Sequence, residues 1–83
     1  MVMVTGKVTV RLKEGVLDPQ GQTIQRALEH MGYNGINQVR AGKTFEIKLE
    51  AQSSEHAKSQ LKEMSEKLLA NPVIETFHVE VVE

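Results

Sequence analysis

Residues 4–13 alternate without a break: Val4, Gly6, Val8, Val10 and Leu12 share one parity, and Thr5, Lys7, Thr9, Arg11 and Lys13 take the other. A side-chain period of two belongs to a half-buried strand, with one face written for a core and the other for water. A strand wet on one face favours an antiparallel sheet covered on a single side over a parallel sheet buried on both. The apolar side then needs a layer of helices, which the rest of the chain must supply.

Two segments carry helical periodicity. Asp18-Pro19 offers a side-chain acceptor for free helix amides, followed by a residue preorganised for the first helical position. Ile24, Ala27, Leu28 and Met31 then fall on the i, i+3, i+4, i+7 template, and Gly32 is placed to close the helix in the left-handed conformation. This leaves Gln22, Gln25, Arg26 and Glu29 facing water. Gly21, in the first turn, has two readings: a tolerated weakness of ~1 kcal/mol relative to Ala, or a place where another backbone approaches. The second helix starts at Ser53-Ser54, with Glu55 complementing its dipole. Its stripe is Ala57, Leu61, Met64 and Leu68, Glu63 and Lys67 form a surface i, i+4 pair, and Asn71-Pro72 stops it.

Between the helices, Tyr33-Asn34-Gly35 reads as a turn. The stretch from Ile36 to Ala51 is extended, with Val39, Ala41, Phe45, Ile47, Leu49 and Ala51 on one parity. Ala41-Gly42-Lys43 makes it either a tight two-strand hairpin or one long strand bent by a glycine bulge. A last strand runs from about Ile74 to Val82, with Phe77, Val79 and Val81 facing in and Thr76, His78 and Glu80 facing out. The order strand, helix, one or two strands, helix, strand predicts an α+β fold of ferredoxin-like type, two helices on one face of an antiparallel sheet. With 83 residues, the whole chain from 1 to 83 is expected to be a single domain.

Reactive chemistry is hard to find. Ten Lys and Arg against eleven Asp and Glu leave a net charge of -1, which argues against nucleic acid or an anionic membrane as partner. No apolar run approaches the ~20 residues of a membrane span, and Met1 to Val4 is followed by polar residues rather than a signal-peptide core. A cytoplasmic location is therefore expected. The chain has no cysteine, which removes disulfides, zinc-thiolate sites and thiol nucleophiles together. Gly42-Lys43-Thr44 resembles the tail of a phosphate loop, but the required earlier glycine is Asn37, and Phe45–Leu49 alternates as a strand where a helix should follow. His30, His56 and His78 lack metal-ligand spacing, so no metal is expected. Ser53 and Ser54 are explained as caps, and Glu46 and Glu50 as charges on a solvated strand. Phe45 and Phe77 fall on the core parity, which leaves no stacking platform for RNA bases.

Four phrases, Lys13-Glu14-Gly15-Val16-Leu17-Asp18-Pro19-Gln20-Gly21, Met31-Gly32-Tyr33-Asn34, Val39-Arg40-Ala41-Gly42-Lys43 and Leu68-Leu69-Ala70-Asn71-Pro72-Val73-Ile74-Glu75, together resemble the PurS family. PurS is the small subunit of phosphoribosylformylglycinamidine (FGAM) synthase. The resemblance spans nearly the whole chain. It implies a role in the fourth step of de novo purine synthesis, where ATP and glutamine convert formylglycinamide ribonucleotide to the amidine. It implies a non-catalytic subunit of an ATP-dependent ligase, with no cofactor of its own. ATP and Mg belong to the PurL synthetase, a cysteine of the PurQ glutaminase releases ammonia, and PurS dimers bridge the two. A homo-oligomer is expected, a dimer or a tetramer. Within the phrases, Gln20, Arg40 and Lys43 are polar positions that local geometry does not demand, and they are the candidate partner contacts. On that expectation Arg40→Glu leaves the isolated domain folded and weakens assembly. The competing expectation, from another class, is a ferredoxin-like module that senses a small ligand.

Overall fold

β1, residues Val2–Leu12, is the middle strand of a three-stranded antiparallel sheet, flanked by β2 (Gly42–Ala51) and β3 (Glu75–Val82). The computed structural model describes residues 1–82 and adds α1 (Pro19–His30), α2 (Ser54–Met64) and a π-helical turn at Ser65–Leu69. Register follows the side-chain parity. Val8 lies opposite Phe45 on one side and Val79 on the other, and Val10 lies opposite Phe77, so the apolar positions of all three strands share a face. On the outer face Lys7 stands between Glu46 and Glu80, a pairing of opposite charges across both neighbours.

The core forms where α2 crosses the inner face. Val4, Val8, Val10, Ala57 and Leu61 are fully buried or nearly so, with Phe45, Ile47, Leu49, Phe77 and Val81 packed around them at partial exposure. Leu61 sits directly over Gly6, where a Cβ would stand 2.3 Å from Leu61 Cδ1, so any larger residue there would have to displace the Leu61 side chain from the core.

The element order, the antiparallel sheet and the α+β class are those the sequence predicts. What it does not reveal is how unequally the two helices cover the sheet. Only α2 lies broadly on the strands, while α1 makes no comparable contact with any other element. The chain is therefore long, 52 × 25 × 15 Å, with a radius of gyration of 16.3 Å; a compact chain of this size would have about 12 Å. Strand count supplies the reason. Residues 36–41 form neither a hairpin arm nor part of a long strand, and β2 begins only at Gly42. Three strands ~4.8 Å apart make a sheet about one and a half helix diameters wide, which seats one helix and not two.

A second difference lies at the end of α2. The stripe Ala57, Leu61, Met64 continues inward, but Leu68 is 82% exposed and Leu69 takes the inner position. The π turn causes this: Ala70 N–H donates to the Ser65 carbonyl at 2.9 Å, five residues back, so the chain advances one residue around the axis. Ser65 is wholly buried there, its hydroxyl donating to the Leu61 carbonyl at 2.7 Å.

Candidate functional site

Three of the four distinctive phrases converge at one end of the sheet. The loop after β1, the N-terminus of α1, the strap 36–41 and the turn before β3 meet there: Lys13 N–H donates to the Ile74 carbonyl at 2.8 Å, and Arg40 reaches the end of β1. The fourth phrase, Met31–Asn34, lies at the far end of α1, about 18 Å along its axis. There Gly32 adopts φ +98, the left-handed closure the sequence predicts.

Asp18 is the centre of the junction. One carboxylate oxygen accepts the Gly21 N–H at 2.9 Å and caps α1; the other accepts the Ala41 N–H at 2.8 Å and ties down the strap. Arg40 completes the knot, donating from Nη2 to the carbonyls of Leu12 at 2.7 Å and Lys13 at 3.2 Å, with Nε 3.8 Å from Asp18. The Gly21 amide, then the Ala41 amide and Arg40, hold the Asp18 carboxyl below its usual range, while partial burial opposes them. Gln25 adds a further tie from α1, donating to the Ile36 carbonyl at 3.2 Å. Gly21 belongs to the same contact. A Cβ at this position would stand 2.3 Å from the Val39 carbonyl oxygen, so of its two readings the close approach of another backbone is the one realised.

Of the three candidate contact residues, Gln20 and Lys43 line one cleft of about 240 Å³ together with Asp18, Arg11 and Glu75. Arg40 does not line it. It separates two neighbouring clefts, of about 430 and 260 Å³, and its guanidinium is engaged within the chain. Arg40→Glu therefore acts first on the fold, placing a carboxylate against two carbonyls and Asp18. The signal for this is present in the sequence only as a lone arginine within the extended stretch from Ile36 to Ala51; nothing there names its acceptors. The second role of Asp18 was likewise hidden behind its role as a cap.

The junction offers carbonyls, amides and cations, arranged to hold chain segments together. Gly42-Lys43-Thr44 opens a strand, and among the described residues no group of three or more His, Asp or Glu side chains is placed to hold a metal ion. His78 and Glu80 face each other at 3.6 Å on the exposed side of β3. No helix among the described residues is long and apolar enough to cross a membrane. Apolar surface is plentiful at the periphery: Ile24 on α1 is 39% exposed and Met31, which caps its end, 70%, Leu17 and Val73 protrude near the junction, and Leu68 protrudes from the π turn.

Comparison with known proteins gives a consistent picture. The family model PurS, described as phosphoribosylformylglycinamidine (FGAM) synthase, matches residues 5–83. The chain is 52% identical to the Bacillus subtilis phosphoribosylformylglycinamidine synthase subunit PurS over 77 residues, 93% of this chain and 90% of that one. Among solved structures it is similar to Methanocaldococcus jannaschii PurS, one of the subunits of formylglycinamide ribonucleotide amidotransferase, with TM-score 0.86 and 40% identity, covering 96% of each chain. It is similar also to a chain of Thermotoga maritima PurLQS, with TM-score 0.89 and 34% identity, covering 99% of this chain and all of that one.

Proposed function

This chain belongs to the PurS family, and from that membership we propose that it is the small, non-catalytic subunit of an FGAM synthase, bridging a PurL-type synthetase and a PurQ-type glutaminase. In this reading the synthetase holds ATP and Mg, the glutaminase supplies ammonia through its own cysteine, and the bridge keeps their sites in register. Ammonia must pass between the sites without escape or protonation, since ammonium is no nucleophile. We place the complex in the cytoplasm, and the small subunit in it as a homodimer or a pair of dimers.

The observation that carries the proposal is α1. A helix held out from the sheet by the Asp18–Arg40 knot, its apolar side bare, is built to be covered by another protein. The polar character of the junction supports a structural task for it. A ligand-sensing module would instead gather its side chains around a cavity, and the clefts here lie open between strand ends and the loops beside them.

The test is assembly in solution. The chain is mixed with PurL and PurQ subunits in the presence of ATP, Mg and glutamine and followed by size-exclusion chromatography. The wild-type chain is expected to elute in one complex with both partners, and a variant carrying Ile24→Ser, Leu28→Ser and Met31→Ser to elute separately while keeping its circular dichroism. Equal incorporation of both chains would remove α1 as the docking element; failure of the wild type to enter the complex would remove the bridging role.

A further inference from the structure

We propose that the cleft at the start of β2, between Arg11 and Lys43, is the seat for an acidic side chain, an Asp or Glu on the partner subunit that covers α1. The proposal deepens the bridging reading above and rests on it. Gln20 joins the two surfaces: Gln20, Ile24, Leu28 and Met31 are spaced by four, four and three, so the cleft continues the bare stripe of α1 at its N-terminal end. A partner laid along that stripe meets an apolar middle and then a cationic end, the plan of a protein interface with its polar rim.

Both cations are held in place by the fold. Arg11 stands opposite Gly42 across the β1–β2 ladder, and a Cβ on Gly42 would lie 2.9 Å from Arg11 Cγ and 3.5 Å from Cδ. The arginine stem therefore lies across the bare backbone of the edge strand and brings Arg11 to the cleft from the outer face. Lys43, opposite Val10, comes from the inner face, with Nζ 5.8 Å from the centre of the Phe45 ring. Their charge is left over. Asp18 is held by two amides and balanced by Arg40, and Glu75 Oε1 accepts the Asn71 N–H at 2.6 Å. Among the described residues neither Arg11 nor Lys43 has an ion-pair or hydrogen-bond partner. Two cations against the one unbalanced carboxylate of Glu75 leave a single positive charge on the cleft, which one further carboxylate neutralises. Exposed cations of this kind hold a free ion weakly, because water and salt screen them. A protein that covers the cleft excludes that water, and the arginine fork can then take a carboxylate by two parallel bonds.

The test is assembly with PurL and PurQ subunits, in the presence of ATP, Mg and glutamine, over a series of NaCl concentrations. Wild-type affinity is expected to fall as salt rises. Arg11→Gln and Lys43→Gln are each expected to weaken incorporation at low salt roughly tenfold and to flatten the salt dependence. The double variant should be little weaker than either single one, since both side chains grip the same carboxylate; strictly additive losses would overturn that shared seat. Each variant is expected to keep the circular dichroism and urea midpoint of wild type, and either alone carries the test if the other harms the fold. Lys58→Gln, a cation on α2 outside the cleft, should leave assembly unchanged, and an equal effect there would reduce the result to net charge and overturn the proposal. Full incorporation of both cleft variants at every salt concentration overturns the seat and leaves the bridging role standing. A wild type that never enters the complex removes the bridging role, and the seat with it. Two other occupants are checked on the isolated chain, by melting in inorganic phosphate and by sedimentation velocity, and Lys43→Gln should match wild type in both. A saturable rise in Tm with phosphate that Lys43→Gln abolishes would make this a small-anion site, and a loss of self-association in Lys43→Gln would make a second copy its occupant; either result overturns the proposal.

Discussion

Gly21→Ala sets two effects of opposite sign against each other at the junction. Alanine is the better helix former by ~1 kcal/mol, so a free α1 would gain from the change. The added Cβ, however, would stand 2.3 Å from the Val39 carbonyl oxygen and 2.8 Å from Asp18 Oδ2. A normal contact of ~3.5 Å requires the strap to retreat by about 1 Å. Backbone cannot swing away like a side-chain tip, and such a retreat carries the Ala41 amide out of its 2.8 Å bond and strains the 2.7 Å bond of Arg40 to the Leu12 carbonyl. A stranded amide costs about 1–3 kcal/mol, and a charged hydrogen bond is worth about 1.5–3 kcal/mol. The loss outweighs the gain by about 2 kcal/mol, which in a domain of this size lowers Tm by roughly 8–16 °C. Urea unfolding at fixed protomer concentration reads it as a lower midpoint with unchanged slope. Gly15→Ala is the control: φ is +82 with open space around it, so the cost is limited to that of a left-handed alanine, about 1 kcal/mol. A Gly21→Ala chain as stable as wild type, or more so, would show that the strap is not seated on α1.

The π turn makes a paired prediction, since Leu68→Ser on the exposed side should stay within about 0.5 kcal/mol of wild type while Leu69→Ala costs about 1–3 kcal/mol; equal costs would return the helix to α register. Leu61→Ala, which empties the centre of the core, should cost about 2–5 kcal/mol in urea unfolding. For Asp18 the folded carboxyl titrates below its usual range, so its contribution to stability is fully present above the unfolded value near 4 and is lost as pH falls through the folded one. Urea midpoints followed from pH 6 to about pH 3 should therefore decline less steeply in Asp18→Asn than in wild type; parallel curves would mean the carboxylate is not held by the two amides. Arg40→Glu should lower the stability of the isolated chain, and a variant as stable as wild type that merely failed to assemble would place Arg40 at a partner instead.

How much of this could be read in advance depends on the range of the interaction. The face of β1, the caps Asp18 and Ser53, the closure at Gly32 and the stop at Asn71-Pro72 all rest on neighbours within a few residues, and their patterns are visible in the chain itself. The close approach at Gly21 was open as one of two readings because a missing Cβ leaves a trace in sequence without saying what fills the space. Whether residues 36–41 would pair was not decidable from parity, since Val39 and Ala41 fit a strand and equally a strap that lies along α1. The seat of α1 followed from that choice, because a fourth strand would have widened the sheet enough for two helices. The shift from Leu68 to Leu69 was invisible, as both are leucine and either satisfies a helical stripe. Arg40 reads in the sequence as a candidate partner contact because its acceptors within the chain are carbonyls, which every residue has.

One measurement bears on the bridging role directly. A PurL-type synthetase and a PurQ-type glutaminase are supplied with ATP, Mg and formylglycinamide ribonucleotide, with either glutamine or free ammonia as nitrogen source, and the amidine product is followed with and without this chain. Glutamine-driven synthesis should depend on the chain, while ammonia-driven synthesis by the synthetase should proceed without it. Full glutamine-driven turnover by the two large partners alone would contradict the bridging role outright.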